Sequence, residues 1–184
     1  MQNSGQTDVM VMGFSEAFDK LPHQELLYKL SKYGINIATL SWLKIFLSNR
    51  KQQVVLERVM SDQVPVSSGV PQGSVLGSIL FLADINDHPQ YVKSKVRLFA
   101  DDTAIYLAIK STVGCIQLQQ DLLNLENWES DWKMEFDATK CNVLRITKKK
   151  TPYVYVFQLK GQTLESLHSA KYLGVYLSDH LRRN

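Results

Sequence analysis

No apolar run in this sequence is long enough to cross a bilayer. The longest, around Ser78 to Ala83, falls far short of a membrane span. The first residues, Met1 to Asp8, are polar and lack the hydrophobic centre of a signal peptide. Cysteine is scarce: Cys115 and Cys141 are the only two. They lie far apart, fit no zinc spacing, and are expected as free thiols in a reducing, intracellular compartment, nuclear or cytoplasmic. Internal repeats and low-complexity tracts are absent. Neither charge sign dominates, with a net charge of +3. Hydrophobic residues make up 45% and charged residues 21%, which excludes a disordered polyelectrolyte. A chain of 184 residues is long enough for one domain with a true core.

The charge is unevenly spread. From Thr139 onward the chain carries nine basic residues, ending with Arg182 and Arg183, against Glu165 and Asp179, a local charge of +7. The rest therefore carries −4. A basic tail beside an acidic body suits a polyanion held near metal-binding acids, although a solvated charged surface explains the same numbers.

The hydrophobic pattern alternates between strand and helix. Val9 to Met12 predicts a short buried strand. Pro22 and His23 open a helix that stops at Gly34. Leu40, Leu43, Phe46 and Leu47 mark a second, and Val54 to Leu56 a strand. Asp62 to Gly73 is expected as loop, and Ser74 to Leu82 as helix. Val96 to Phe99 and Ala104 to Ile109 are expected as two strands meeting at Asp101 and Asp102. Ile116, Leu118, Leu122, Leu125, Trp128 and Trp132 mark a long amphipathic helix. Asn142 to Thr147, Tyr153 to Phe157 and Tyr172 to Leu177 are expected to complete an antiparallel set. Helices over a mostly antiparallel sheet make the class α+β.

Three segments could carry chemistry. In Arg97-Leu-Phe-Ala-Asp-Asp-Thr-Ala-Ile-Tyr106, two adjacent carboxylates sit where apolar strands meet. They repel each other and so invite a cation, and their hard oxygens suit Mg²⁺ or Mn²⁺. A plain Asp-rich turn explains them equally well. Ser67 to Gly77 is a Gly/Pro-shaped loop leading into a helix, with no lysine after the glycines and so no Walker loop. Met12 to His23 gives strand, turn and helix, with Asp19 as a turn or cap residue.

In this order, the segments resemble the reverse transcriptase family, in particular LINE-like (non-LTR) retrotransposons of the jockey type. The resemblance runs from about Val9 to Leu181. Met12-Gly-Phe-Ser-Glu-Ala-Phe-Asp19 looks like motif A, usually aspartate-Phe-Ser-Lys-Ala-Phe-Asp. Ser68 to Gly77 looks like motif B, and Phe99-Ala-Asp-Asp102 like motif C. Trp132 to Cys141 looks like motif D, and Lys171-Tyr-Leu-Gly-Val175 like motif E, the primer grip.

The resemblance implies a polymerase palm with fingers and thumb largely missing, spanning residues 9–184 as a partial reverse transcriptase domain after a polar segment, 1–8. It implies RNA-directed DNA polymerisation with two metal ions, Mg²⁺ or Mn²⁺. The partners would be an RNA template, a DNA primer and dNTP, with no membrane. Asp101 and Asp102 would be metal ligands, and Lys140 would assist the leaving pyrophosphate. Phe18 would gate the ribose, and Gln72, Gly73 and Phe99 would meet template or nucleotide. Tyr172, Leu173 and Gly174 would support the primer end. Packing alone would also account for an aromatic such as Phe18 or Tyr172, but the order of the motifs favours the functional reading.

The sequence departs from the pattern at the first motif A aspartate, which is Gly13 here. Glycine offers no side-chain oxygen, and Asp19 lies past the bend into the helix. The chain is therefore expected to be weak or inactive. Ser78 stands where Pro is usual, and Asp84-Ile-Asn-Asp-His-Pro89 replaces Tyr-Ile-Asn-Asp-Leu-Pro. A truncated copy, a nucleic-acid-binding remnant without chemistry, and a product too exposed to fold stably all fit these departures. Trp42, Phe46 and residues 153–157 are the apolar groups expected to be exposed.

Overall fold

The computed structural model describes residues 5–179. Arg182 and Arg183 of the basic tail lie outside the described residues. The chain forms two compact units: Glu16–Asn86, and Met1–Ser15 with Asp87–Asn184.

Strand β1 (Gln6–Gly13) belongs to the larger unit. The smaller unit follows, with α1 (Ala17–Lys20), α2 (His23–Lys32), α3 (Ile37–Leu47), β2 (Arg50–Gln52), β3 (Val55–Leu56), β4 (Val59–Met60), β5 (Val64–Val66) and α4 (Val75–Ile85). The larger unit resumes with β6 (Lys95–Phe99), β7 (Asp102–Ala108), α5 (Thr112–Trp132) and β8 (Asn142–Thr147). It ends with β9 (Gln158–Leu159), β10 (Gln162–Thr163), β11 (Glu165–Leu167), β12 (Ser169–Tyr172) and β13 (Val175–Ser178).

The main sheet runs β11-β8-β1-β7-β6. All neighbours are antiparallel except β11 and β8. Strand β1 is central because Val9 to Met12 are apolar on both faces and nearly all buried. One face carries Val9, Val11, Ala104 and Leu144, and the β12–β13 hairpin covers it through Ala170, Tyr172 and Leu177. Met10, Met12 and Ile105 alternate onto the other face. Helix α5 packs on β7 and buries Cys115, Leu118, Leu122, Leu125 and Trp128. Both cysteines are buried free thiols. Among the described residues no helix is long and apolar enough to cross a membrane.

In the smaller unit α2 buries Leu26 and Leu30, α3 buries Leu43 and Leu47, and α4 buries Leu80, Phe81 and Ile85. Asn36 caps α3 by accepting from Thr39 N at 2.9 Å, and Ser74 caps α4 by accepting from Gly77 N at 3.0 Å. Buried Lys29 lies 3.7 Å from the carboxylate of Asp84.

Three sequence expectations need correction. The loop from Asp62 to Gly73 contains β5, paired with β2 from Arg50↔Val66 to Gln52↔Val64. Tyr153 to Phe157 forms no strand: the buried Gln6 side chain takes both backbone groups of Tyr153, accepting from its N–H at 2.8 Å and donating to its C=O at 2.9 Å. The hairpin that holds Tyr172 is a separate two-stranded sheet rather than part of the main one. Trp42, Val154 and Val156 are exposed as expected, but Phe157 is buried in the core, Tyr155 is half-buried, and Phe46 is half-buried and stacks on Trp42 at 5.8 Å.

Candidate active site

Strands β6 and β7 form a hairpin whose last pair is Phe99↔Asp102, leaving Ala100 and Asp101 as a two-residue turn. Ala100 takes φ 49°, the left-handed conformation that tight hairpin turns need. Asp101 therefore stands exposed at the tip and Asp102 half-buried at the root. Across β1, Gly13 is the direct partner of Asp102. Opposed residues in an antiparallel ladder point to the same face, with Cβ atoms about 4.5–5.5 Å apart. Position 13 is thus where a carboxylate would complete a three-acid cluster.

Motif D closes the other side of β1. Asp137 N donates to Gly13 O at 2.9 Å, and Ser15 N donates to Glu135 O at 2.8 Å. Phe14 and Phe136 stack at 4.3 Å, within an aromatic cluster that includes His88 and Trp128. His88 of the departed run is therefore core rather than surface. This pairing brings Lys140 beside position 13. A Cβ built on Gly13 would lie 3.8 Å from Lys140 Cβ and Cδ, which is ordinary contact. Lys140 itself is exposed, with its ammonium 3.7 Å from Asp137 Oδ2.

The electrostatics mark Asp102. Burial pushes its carboxyl above the usual range, and the adjacent Asp101 charge pushes it further. Tyr172 is raised by its own burial and then by the charge of Asp102, with Arg97 opposing. Leu173 (φ 52°) and Gly174 (φ 77°) form the left-handed turn of that hairpin. Cys141 sits behind Gly13, where burial pushes its thiol up to about 11.

The structure thus brings Asp101, Asp102 and Lys140 to the surroundings of Gly13, with Tyr172 on the same sheet face. Phe99 is 62% exposed at the start of the turn. Phe18, Gln72 and Gly73 belong to the smaller unit. There Phe18 stacks on Phe81 at 4.7 Å, and Gln72 and Gly73 are exposed in the turn before α4. The loop leading to them is fixed at Gly69, whose C=O accepts from His23 Nε2 at 2.7 Å and Arg50 Nη1 at 2.9 Å. Asp19 sits exposed in α1, and its backbone C=O accepts from Ser68 Oγ at 2.8 Å.

One support had no sequence signal. Glu129 of α5 is buried, accepts from Phe136 N, and lies 3.1 Å from Lys160 Nζ. Lys160, in the β9–β10 turn, also reaches Glu135 Oε1 at 3.0 Å and Phe136 O at 3.1 Å. This ion-pair cluster holds the segment that brackets Gly13. No periodicity links two residues so far apart in the chain.

As a donor set, Asp101 and Asp102 suit one hydrated divalent cation, since Mg²⁺ usually takes one or two protein carboxylates and fills its shell with water and phosphate. Gly13, opposite Asp102, offers no side-chain oxygen to a cation. Among the described residues, no three His, Cys, Asp or Glu side chains converge to hold a metal.

Comparisons with known proteins identify the family and the fold. The family model for reverse transcriptase (RNA-dependent DNA polymerase) matches residues 1–177. The RNA-directed DNA polymerase from mobile element jockey of Drosophila melanogaster is 28% identical over 190 residues, covering 98% of this chain and 20% of that protein. The probable RNA-directed DNA polymerase from transposon X-element of the same species is 30% identical over 180 residues, covering 94% and 19%. The chain thus spans about a fifth of the length of these curated relatives. A solved structure of apo telomerase from Candida tropicalis, truncated from its C-terminal domain, superposes with a TM-score of 0.63 at 10% identity. That match covers 94% of this chain and 34% of the other, and it supports the fold. By its family match and its hairpin of paired aspartates, this chain belongs to the reverse transcriptase family, whose members are nucleotidyltransferases.

Proposed function

We propose that this chain is a palm built for RNA-directed DNA synthesis, in which Gly13 has removed one metal-bridging carboxylate and left a weak or inactive site. The register Gly13↔Asp102 carries the reading, because it sets the missing acid directly opposite a present one. Residues 9–184 would then be a partial reverse transcriptase domain, with RNA template, DNA primer and dNTP as partners. Asp101 and Asp102 would hold a divalent ion, Mg²⁺ or Mn²⁺. Bound there, the ion supplies charge stabilisation for phosphoryl transfer to a primer 3′ hydroxyl.

The chain's own residues do the rest. Lys140, exposed beside position 13, would bring its ammonium to a departing pyrophosphate. The Leu173–Gly174 turn offers backbone groups to a primer end, and Tyr172 anchors that turn on the sheet. Phe18, which stacks on Phe81 within the smaller unit, would be the bulky group that refuses a ribose 2′ hydroxyl. Gln72, Gly73 and Phe99 are exposed and free to meet template or nucleotide.

The test is Mn²⁺ binding by the 184-residue chain, read from water proton relaxation, together with primer extension on an RNA template with the remaining polymerase regions supplied. Binding should vanish in Asp101→Asn/Asp102→Asn. Extension should be feeble, and Gly13→Asp should raise it by about 10²–10³, the usual worth of one preorganised stabilising group. Unchanged Mn²⁺ binding without both acids, or no gain from Gly13→Asp, overturns the reading. Loss of chemistry with retained RNA binding would leave a non-catalytic nucleic-acid-binding remnant.

A further inference from the structure

The main sheet has a second charged end. Residue Gln6 starts β1 at the end opposite Gly13. At about 3.3 Å per residue, the strand separates these ends by roughly 20 Å. Three segments converge on Gln6. Ile109 N donates to Gln6 O at 2.8 Å, which places Lys110 there. Thr147 is the register partner of Gln6, and Lys148, Lys149 and Lys150 follow it directly. Tyr153 is bonded at both backbone groups to the Gln6 side chain. Four lysines and a tyrosine, scattered over more than forty positions, are thereby gathered at one edge.

Among the described residues, none of these four lysines forms a salt bridge. Asp8 is buried and paired with Arg145 at 3.7 Å. Asp179, whose C=O accepts from Thr147 N, holds His168 at 2.8 Å. Lys110, Lys148 and Lys150 are exposed. Lys149 Nζ stands 4.7 Å over the Tyr153 ring, which is still 37% exposed. Beyond it the unpaired segment exposes Val154 at 74% and Val156 at 62%.

We propose that this edge is a binding surface for single-stranded nucleic acid, separate from the acid pair. Lysines alone would suit any polyanion. Lysines beside an exposed aromatic and an apolar ribbon suit a strand whose phosphates meet the ammoniums while its unstacked bases lie on the ring and the valines. A duplex hides those base faces and gains only the charge contacts. The surface does not depend on metal binding at Asp101 and Asp102, and it stands or falls apart from that reading.

The experiment is fluorescence anisotropy of the full 184-residue chain with labelled oligo(U) and oligo(dT), across a salt series. Duplex DNA and vesicles of phosphatidylserine and phosphatidylcholine serve as competitors. Lys148→Gln/Lys149→Gln/Lys150→Gln should weaken both oligonucleotides at least about tenfold at low salt. It should also reduce the salt slope by about 2, since each lost phosphate contact on a single strand removes roughly 0.7. Tyr153→Ala, which keeps the backbone bonds and all the charge, should weaken binding about fivefold with the slope unchanged. A charge-matched control, Lys32→Gln/Lys44→Gln/Lys95→Gln, should leave affinity within about twofold. Comparison of the two oligonucleotides separates RNA from DNA as the strand held. Equal losses in both triple variants, no effect of Tyr153→Ala, or displacement by vesicles but not by unlabelled oligonucleotide each overturn the proposal.

Discussion

Glu129 and the Asp101–Asp102 pair are carboxylates in the same unit, and burial raises the protonation range of both Glu129 and Asp102. Their neighbours answer in opposite ways. Glu129 receives the Phe136 N–H and the Lys160 ammonium, which pull it back toward ionisation. Asp102 receives a second negative charge. Lys160 is pushed down by burial, but its bonds to Glu135 and Glu129 outweigh this and raise it. Glu129, an acid that holds the fold, comes with a cation. Asp101 and Asp102, adjacent at the end of a hairpin, have no ion-pair partner among the described residues.

The comparison can be broken most sharply at Lys160. Lys160→Ala strands a buried carboxylate and should cost about 3 kcal/mol of unfolding free energy, measured by denaturant melts. The double change Glu129→Gln/Lys160→Met should recover most of that loss. A loss no larger than that of a surface substitution would mean that Glu129 is not held by this ion pair.

A smaller effect is expected at Gly13. Gly13→Asp adds a third acid where the fit is open, and should tighten Mn²⁺ by at least tenfold, about 1.4 kcal/mol. Without metal the same change should destabilise, because it adds like charge.

The smallest effect separates the two acid types by pH. A carboxyl whose folded-state range is raised binds more protons in the native state, so its contribution to stability falls as pH rises above the ordinary carboxylate range. Asp101→Asn removes the second cause of the Asp102 shift. In metal-free buffer it should stabilise the chain near neutral pH by no more than about 0.5 kcal/mol, because water screens this half-exposed pair. The gain should disappear as pH falls through the raised range of Asp102, because its protonation ends the repulsion. Thermal melts across that range check the sign.

Much of the larger unit was legible because its signals are local. Alternation and apolar runs marked β1, β6 and β7, and the 3.6-residue spacing from Ile116 to Trp132 marked α5. Motif order placed Asp101 and Asp102 across from residue 13, and the register agrees. What escaped depends on partners distant in sequence. Tyr153 to Phe157 has strand character, but the Gln6 amide takes the backbone bonds of Tyr153. Strand β5 hides in a Ser/Gly/Pro-rich loop because its ladder with β2 covers only three pairs. The parallel pairing of β11 with β8 and the Glu129–Lys160 contact follow from tertiary packing, and no short window of sequence encodes them.

Two glycines respond in opposite ways to accident. A Cβ at Gly69, where φ is +78°, would meet the Asp19 and Phe18 carbonyl oxygens at 2.5 and 2.6 Å. At Gly13 the nearest atoms stand off at 3.8 Å. Substitution at the first position would register as misfolding, whereas exchange of aspartate and glycine at the second passes without steric notice in either direction. Residue 13 is therefore a position where the fold itself exerts no steric veto on a carboxylate, whereas residue 69 admits glycine alone.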